Sequence, residues 1–392
     1  MRIGLTGPVD LDPLREALGC EVPQVYSGPS TGWLARTWWE QGHDVTVVAL
    51  SDRVRAQQTY GSGSLKLVVV PMRERHRARD LFREERRGLA DALRGQPLDV
   101  VSAHWTYEFA LGAIASGLPT CVTARDTPLR YAWEMRSAYR WWRHTMAVPA
   151  ALKATALGAN SPYTAAHFRR FLGVRRPIEV IPNAVRTDAL PAPAAPPPGR
   201  APVFATASQG WGRWKNTAAA LWAFPLVRER LPQARLVMFG RAHGPGGEAE
   251  TWARRRGLAD GVEFAGPLPH AAMLRRLAAE AHVLVHPSRV ESFSMICAEA
   301  MALGIPVVAG RRSGAVPWVV DRAGHLVDVD RPDLIAEAML RLALDHAHRA
   351  ELGALGRDRV RTRFSLDDTA RAYTAWFART VNCRGRIEEA SV

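Results

Sequence analysis

The sequence predicts two doubly wound α/β domains in tandem, each a parallel sheet covered by helices on both faces. Three observations carry this. At 392 residues the chain exceeds what one hydrophobic core usually serves. Short apolar runs alternate with helical patterns along its length, as buried parallel strands do. A segment that neither helix nor central strand tolerates, Leu190-Pro-Ala-Pro-Ala-Ala-Pro-Pro-Pro-Gly199, divides the two series. The expected organisation is a domain over 1–189, a proline-rich spacer over 190–201, and a domain over 202–364. A helix over 365–392 follows, placed to pack back on the first domain.

Taken in order, the strands before the spacer are predicted at Arg2–Thr6, Asp44–Leu50, Leu65–Pro71, Asp99–His104, Thr120–Ala124 and Ile178–Pro182. After it they are predicted at Val203–Ala207, Arg235–Gly240, Val262–Ala265, Val283–His286, Pro306–Ala309 and His325–Val327. The closing helix is read from Ala370, Tyr373, Phe377 and Val381, which share one stripe at helical spacing. Ligands of such sheets bind at the carboxyl ends of the strands, so the two edges are expected to face one cleft.

Composition narrows the class. Hydrophobic content of 47% and charged content of 23% are those of a globular protein. No apolar run reaches the length of a membrane span, and the first residues do not pattern as a signal peptide, so a cytoplasmic location is expected. Cys20, Cys121, Cys297 and Cys383 are scattered without metal-ligand spacing and are expected to be free, mostly buried thiols. The net charge of +14 comes almost wholly from arginine, since the lysines are Lys66, Lys153 and Lys215 alone. That skew fits a GC-rich genome, or an affinity for anions such as nucleotides and phospholipid surfaces. Nucleic acid is not an expected partner, because the arginines are spread and no standard binding motif is present.

The most informative segment is Glu291-Ser-Phe-Ser-Met-Ile-Cys-Ala-Glu299-Ala-Met-Ala-Leu303, followed by Gly304 and an apolar strand. It reads as a helix of about three turns stopped by a glycine, with Ile296, Ala300, Met301 and Leu303 on its apolar face. On one continuous helix Glu291 and Glu299 would stand about 12 Å apart along the axis and about 80° apart around it. Carboxylates so placed grip the two ends of an extended ligand, while the helix N-terminus offers N–H groups to an anion between them. A nucleotide sugar has that layout. His286-Pro-Ser288 before the block and Gly304-Ile-Pro306 after it make the pattern more specific than a generic strand–helix unit with solvated glutamates.

With those residues in view, the chain resembles the retaining glycosyltransferases of family 4, whose GT-B fold sets two Rossmann-like domains facing a central cleft. The family signature is an E-x7-E pair in a context like E-x-F-G-x-x-x-x-E-A-M-A-x-G-x-P-V-V, matched here from Glu291 to Val308. The resemblance implies that Glu291 contacts hydroxyls of the donor sugar and Glu299 the ribose. It also implies that N–H groups around Ser292, Phe293, Ser294 and Met295 meet the diphosphate. Ser294 stands where the family has glycine and is expected to be small enough to serve. Ser208-Gln-Gly210-Trp-Gly212-Arg213-Trp-Lys215-Asn216 reads as a flexible phosphate loop in which Lys215 and Arg213 stabilise the leaving diphosphate. The family's arginine five residues ahead of the lysine is replaced by Gln209 or Gly210.

The first half carries the acceptor signals. Tyr26-Ser-Gly28-Pro29-Ser30-Thr-Gly32 resembles the family's glycine-rich loop, or is a plain turn. Gln41-Gly-His43-Asp-Val45 matches a structural strand entry. Arg125 and Asp126 fall where many relatives have histidine then aspartate, so a histidine role does not carry over; the arginine would suit an anionic group of the substrate. His104 is a cleft candidate or a satisfied structural histidine. Ile181-Pro-Asn183-Ala-Val185 resembles the family's P-N-G-V element.

Two further segments have bland readings. Arg73–Arg87 is expected to be a solvated helix or loop. Tyr131–Met146 interleaves aromatics with arginines, which suits a peripheral contact at the inner membrane face or stacking on an acceptor. The expected reading there is a surface helix with its aromatics turned inward. Asp328-Val-Asp330 mimics a metal-binding D-x-D but lies late in another motif set, and no essential metal or cofactor is expected. The function implied is transfer of a hexosyl group from a UDP- or GDP-sugar to a hydroxyl on a natural product, glycan or lipid-linked sugar. The alternatives are a nucleotide-sugar epimerase of the same fold and a non-catalytic basic protein that binds anionic lipid or polymer.

Overall fold

The computed structural model describes residues 1–28, 31–191 and 201–389, with side chains described as far as residue 383. Pro29, Ser30 and most of the proline-rich spacer lie outside the described residues. Two compact units are present: Met1–Ala184 together with the chain from Leu366 onward, and Val185–Ser365. The chain therefore leaves the first unit ahead of the proline-rich segment. The departing and returning segments lie side by side, with a parallel bridge between Val185 and Ser365 and the Val185 N–H donating to the Phe364 carbonyl at 2.8 Å.

The first unit holds strands β1 (Arg2–Thr6), β2 (Asp44–Ser51), β3 (Gln58–Tyr60), β4 (Leu65–Pro71), β5 (Val100–His104), β6 (Thr120–Ala124), β7 (Ala156–Ala159) and β8 (Ile178–Val180). They form one sheet in the order β3-β4-β2-β1-β5-β6-β7-β8, parallel except for the β3–β4 pair. Its helices are α1 (Asp12–Leu18), α2 (Thr31–Glu40), α3 (Arg83–Arg94), α4 (Glu108–Ala115), α5 (Pro128–Met135), α6 (Ala138–Lys153) and α7 (Pro162–Phe171). Alternation along β2 shows how both faces are used: Val45, Val47 and Ala49 join one core, while Val48 and Leu50 join the other.

The second unit holds β9 (Val203–Ala207), β10 (Arg235–Phe239), β11 (Val262–Gly266), β12 (Val283–His286), β13 (Val307–Gly310) and β14 (Gly324–Val327). All are parallel, in the order β11-β10-β9-β12-β13-β14. The helices are α8 (Ala218–Arg230), α9 (Glu248–Arg254), α10 (His270–Glu280), α11 (Met295–Ala302), α12 (Val316–Val320), α13 (Pro332–Leu344) and α14 (His346–Arg363). The strand order reverses beside β9, whose two neighbours are β10 and β12, and such a reversal opens a crevice at the carboxyl ends.

The last helix, α15 (Leu366–Glu389), belongs to the first unit. Trp38 Nε1–H donates to the Ala370 carbonyl at 3.3 Å, and its ring meets those of Tyr373 and Phe377 edge-on at 5.8 and 5.4 Å. This packing explains a strand the sequence reading omits. β7 is built of small residues because the Trp376 ring lies over it: a Cβ on Gly158 would stand 2.9 Å from that ring. β3 was also omitted; it is a three-residue antiparallel edge strand with two exposed positions.

Three local expectations are corrected. The 73–87 run is not merely solvated, because Arg73 bridges Asp80, Glu84 and Glu85, and Glu85 is buried. The 131–146 segment is two helices broken at Arg136, whose φ is 46°. Its tryptophans turn outward rather than inward: Trp133 is 70% exposed, Trp141 46% and Trp142 53%. Of the four cysteines, all free, Cys121 and Cys297 are buried while Cys20 and Cys383 are exposed.

Candidate active site

In the second unit the site is made by two loops that leave neighbouring strands. β9 and β12 pair directly, with Phe204 opposite Val283. The loop after β9 (residues 208–216) and the loop after β12 (residues 287–294) therefore run side by side. Main-chain bonds lock them: the Trp214 carbonyl accepts from the Arg289 N–H at 2.8 Å and from Ser288 Oγ at 3.2 Å. Arg289 also donates to the Arg213 carbonyl and pairs with Asp330. Gly210 lies at φ 101°, a conformation in which any side chain would be strained.

This arrangement brings Lys215 to Glu291, 76 positions later in the chain, with Nζ 2.6 Å from Oε1. Only 14% and 11% of these side chains are exposed. The Lys215 ammonium also lies 4.2 Å from the centre of the Trp214 ring. His286, the last residue of β12, places Nε2 3.3 Å from Glu291 Oε1 and 3.2 Å from Ser294 Oγ. A carboxylate only accepts, so the proton that bonds Glu291 sits on Nε2. Burial alone would push the Glu291 carboxyl up. The charge of Lys215 and the His286 bond outweigh it and hold the group ionised, well below the usual carboxylate range.

Helix α11 begins at Met295, not at Glu291, so the two glutamates do not share one continuous helix and the 12 Å spacing does not apply. Glu291 sits in the loop, its carbonyl accepting from the Ala315 N–H at 2.8 Å. Ser294 caps the helix at φ 84° and ψ 81°, in the left-handed region. The family's glycine at this position is thus a conformational requirement, not only one of size, and serine carries strain of about 1–3 kcal/mol there. The Ser294 side chain makes no capping bond to the first turn of α11, whose N–H groups point toward where an anion would sit. The helix ends as anticipated: Gly304 lies at φ 77°, the Gly304 N–H bonds the Met301 carbonyl and the Ile305 N–H bonds the Ala300 carbonyl.

Glu299 lies in the second turn of α11, buried, and accepts from His270 Nε2 at 3.0 Å. The hydrogen bond to Glu299 raises the His270 pKa, against the effect of burial. Phe293 is a core wedge between Trp318 and Phe364, so its backbone alone is available to a ligand. Ser292 and Met295 are half-buried, and Arg213 is exposed. Asp328 and Asp330 each pair with an arginine, Arg311 and Arg289.

In the first unit, β5 and β6 are neighbours and deliver His104, Arg125 and Asp126 at their carboxyl ends. All three are buried. Arg125 donates through Nε and Nη2 to His104 Nδ1, at 2.9 and 2.8 Å, and through Nη1 to Asn183 Oδ1 at 2.5 Å. Because Nδ1 accepts, His104 is neutral with its proton on Nε2, which bonds Ser102 Oγ at 3.1 Å. Burial, and then the Arg125 charge, lower its pKa. Asp126 turns to a different partner: Tyr107 Oη donates to its carboxylate at 2.7 Å. Burial pushes that carboxyl up, against the pull of the Tyr107 bond, Arg143 and Arg140. Gly28 packs on Pro8, where a Cβ would stand 2.5 Å from the Pro8 Cβ.

His286, His270, Tyr107 and Asn183 were given no role from sequence. A strand-terminal histidine five residues ahead of Glu291 was a usable signal for His286. Nothing local marks His270, whose partner is set by the packing of α10 against α11.

Two family models match successive parts of this chain. One, described as Glycosyltransferase Family 4, matches residues 33–189, and the other, described as Glycosyl transferases group 1, matches residues 201–345. The chain belongs to glycosyltransferase family 4. Among relatives of this family 4 chain is the GDP-mannose-dependent monoacylated alpha-(1-6)-phosphatidylinositol monomannoside mannosyltransferase of Corynebacterium glutamicum. It is 30% identical over 227 residues, which cover 53% of this chain and 58% of that protein. The D-inositol 3-phosphate glycosyltransferase of Acidothermus cellulolyticus is 39% identical over 145 residues, covering 34% of this chain and 31% of that protein. The match thus spans little more than half the length of the mannosyltransferase relatives and about a third of the inositol-phosphate glycosyltransferase. For the fold, sucrose-phosphate synthase from Thermosynechococcus elongatus superposes with a TM-score of 0.75 at 17% identity, covering 98% of this chain and 100% of that one. Anabaena HepE, solved with UDP and glucose, gives 0.69 at 16% identity, covering 96% and 99%. Two parallel-sheet α/β domains of the GT-B class are therefore the architecture. Among the described residues no helix is long and apolar enough to cross a membrane.

Proposed function

We propose that this chain transfers a hexosyl group from a nucleotide diphosphate sugar to an acceptor hydroxyl, with retention at the anomeric carbon. The observation that carries the reading is the Lys215–Glu291–His286 cluster beside the uncapped N-terminus of α11. In this reading the donor diphosphate takes the place of the Glu291 carboxylate against Lys215, and the α11 N–H groups meet the phosphate oxygens. Glu291, freed from the lysine, accepts from hydroxyls of the sugar, and Glu299 accepts from the ribose. The two glutamates hold different partners on different elements, which does not suit a nucleophile and acid acting on one bond.

The chemistry is front-face displacement. The bond from the anomeric carbon to the diphosphate oxygen breaks, the acceptor oxygen bonds that carbon from the same face, and the acceptor proton passes to the departing phosphate. The protein supplies position and positive charge, so no metal is required. GDP-mannose is the first donor to test and a phosphoinositol-bearing molecule the first acceptor, because the relatives are named for these. A lipid-linked acceptor fits the same names. We place acceptor binding at the carboxyl ends of β5 and β6, where Arg125 is held by His104 and Asn183.

The test uses purified protein and a panel of nucleotide sugars. The true donor raises the unfolding temperature by binding the folded state alone, and product is followed with and without acceptor. Glu291→Ala and Lys215→Ala are each expected to abolish transfer with the fold intact. Full turnover by both would overturn the assignment, and conversion of donor without acceptor would favour the epimerase.

A further inference from the structure

The solvent face of α6 is apolar. Ala138, Trp141, Trp142, Thr145, Pro149 and Leu152 fall within about 100° of arc. Of these Trp141, Trp142 and Leu152 are exposed large side chains, and Thr145 is the one polar residue. A helix on a folded sheet normally turns such a stripe inward and keeps charge outside. Trp133 of α5, packed beside α6, is 70% exposed, and it lines a groove with Phe171 of α7, itself 49% exposed. Exposed apolar surface of this extent marks a place where something docks.

Charge identifies the partner. From Pro128 to Phe171 the chain holds one acid, Glu134, against seven lysines and arginines. The apolar stripe ends at Leu152, and Pro149 within it and Lys153 just beyond it also line a second groove of about 510 Å³. Arg83, Arg86, Arg87 and Arg94 border that groove, with one acid, Asp91, paired to Arg94, over a floor of Leu111 and Ile114. Tryptophan seeks the boundary between water and hydrocarbon, and arginine beside it reaches the headgroup phosphates. Aliphatic Leu152 and the Leu111–Ile114 floor have no use in stacking bases, which separates this face from a single-strand platform.

We propose that the α5–α6–α7 face, continued by the arginines of α3, docks on an anionic phospholipid surface. The purpose, presenting the first unit to a lipid-linked acceptor, rests on the proposed function; the binding itself does not.

The full chain is mixed with vesicles of phosphatidylcholine and phosphatidylglycerol in equal parts, and with vesicles of phosphatidylcholine alone, then sedimented. Binding to the anionic vesicles only is expected. Each basic residue near such a surface is worth about fivefold in partitioning, so R83E/R87E is expected to lose about 25-fold or more. Trp141→Ala with Trp142→Ala is expected to lose about tenfold or more. Brominated lipid should quench the wild-type tryptophan fluorescence, and much less that of the W133F/W141F/W142F protein. No sedimentation with anionic vesicles, or variants that bind like wild type, would overturn the proposal. So would equal binding to neutral vesicles, preference for RNA over vesicles, or a dimer that the Trp141/Trp142 variant dissolves. Donor-induced stabilisation is read on the same samples: its absence counts against the proposed function, while its retention in the variants certifies their fold.

Discussion

Removing the Lys215 ammonium should cost far more while Glu291 keeps its charge than after that charge is gone. At 2.6 Å and an effective permittivity of about 20, the attraction is about 6 kcal/mol before desolvation is charged against it. Both side chains are nearly buried, so water replaces little of it. Lys215→Met leaves a buried carboxylate with His286 as its remaining polar neighbour, and a loss of about 3–5 kcal/mol is expected. Glu291→Gln keeps the shape and leaves Lys215 its Trp214 ring, for a loss of about 1–2 kcal/mol. The double variant holds no uncompensated buried charge and should lie near the Glu291→Gln single. The coupling energy is then the whole Lys215→Met loss, at least about 3 kcal/mol. Two-unit proteins seldom unfold in one step, so the assay is native-state hydrogen exchange of peptides spanning 283–303. A coupling of that size shows as about two orders of magnitude in exchange rate. Single-variant effects that simply add in the double would refute both the ionised Glu291 and the burial argument.

Three further outcomes are expected. His270 has a folded pKa raised above its ordinary 6.5 by Glu299, so its stabilisation is complete below that value and lost as pH rises through the folded pKa. The difference in unfolding temperature between wild type and His270→Gln should therefore shrink from mildly acid to mildly alkaline pH; a pH-independent difference would refute the pair. Chelation of divalent cations should leave transfer unchanged, and restoration of lost activity by added magnesium would contradict the charge assignment to Lys215 and α11. Phe377→Ala removes a fully buried aromatic and should cost about 3–5 kcal/mol. Its exchange signature is expected in α2 and β2 as well as α15, and acceleration confined to α15 would argue against a shared core.

The strands were legible where burial on both faces demanded branched apolar residues, as in β1, β4, β6, β9 and β12. β7 escaped because its composition answers to Trp376, a residue more than two hundred positions away. The site was legible as chemistry but not as geometry. Lys215 and Glu291 stand out by residue type and context, yet their contact depends on β9 and β12 being neighbours, which strand order alone decides. Glu291 was misplaced on a helix because periodicity cannot see that Ser294 adopts a left-handed conformation and starts the helix afresh. The outward tryptophans of α5 and α6 were misread for the opposite reason: propensity assigns them to a core, and nothing local says which face of a helix meets the sheet.

The return of α15 to the first unit has a consequence for biosynthesis. Val185–Ser365 is continuous, so that unit has all its strands and helices as soon as it leaves the ribosome. The first unit does not: Trp38 waits for Ala370, Tyr373 and Phe377, which are made after the whole of the second. Synthesis order and folding order are thus reversed, with the earlier-made unit maturing last. A nascent chain paused before residue 366 would expose the apolar patch around Trp38, making that patch, rather than the later-made unit, what chaperones have to shield.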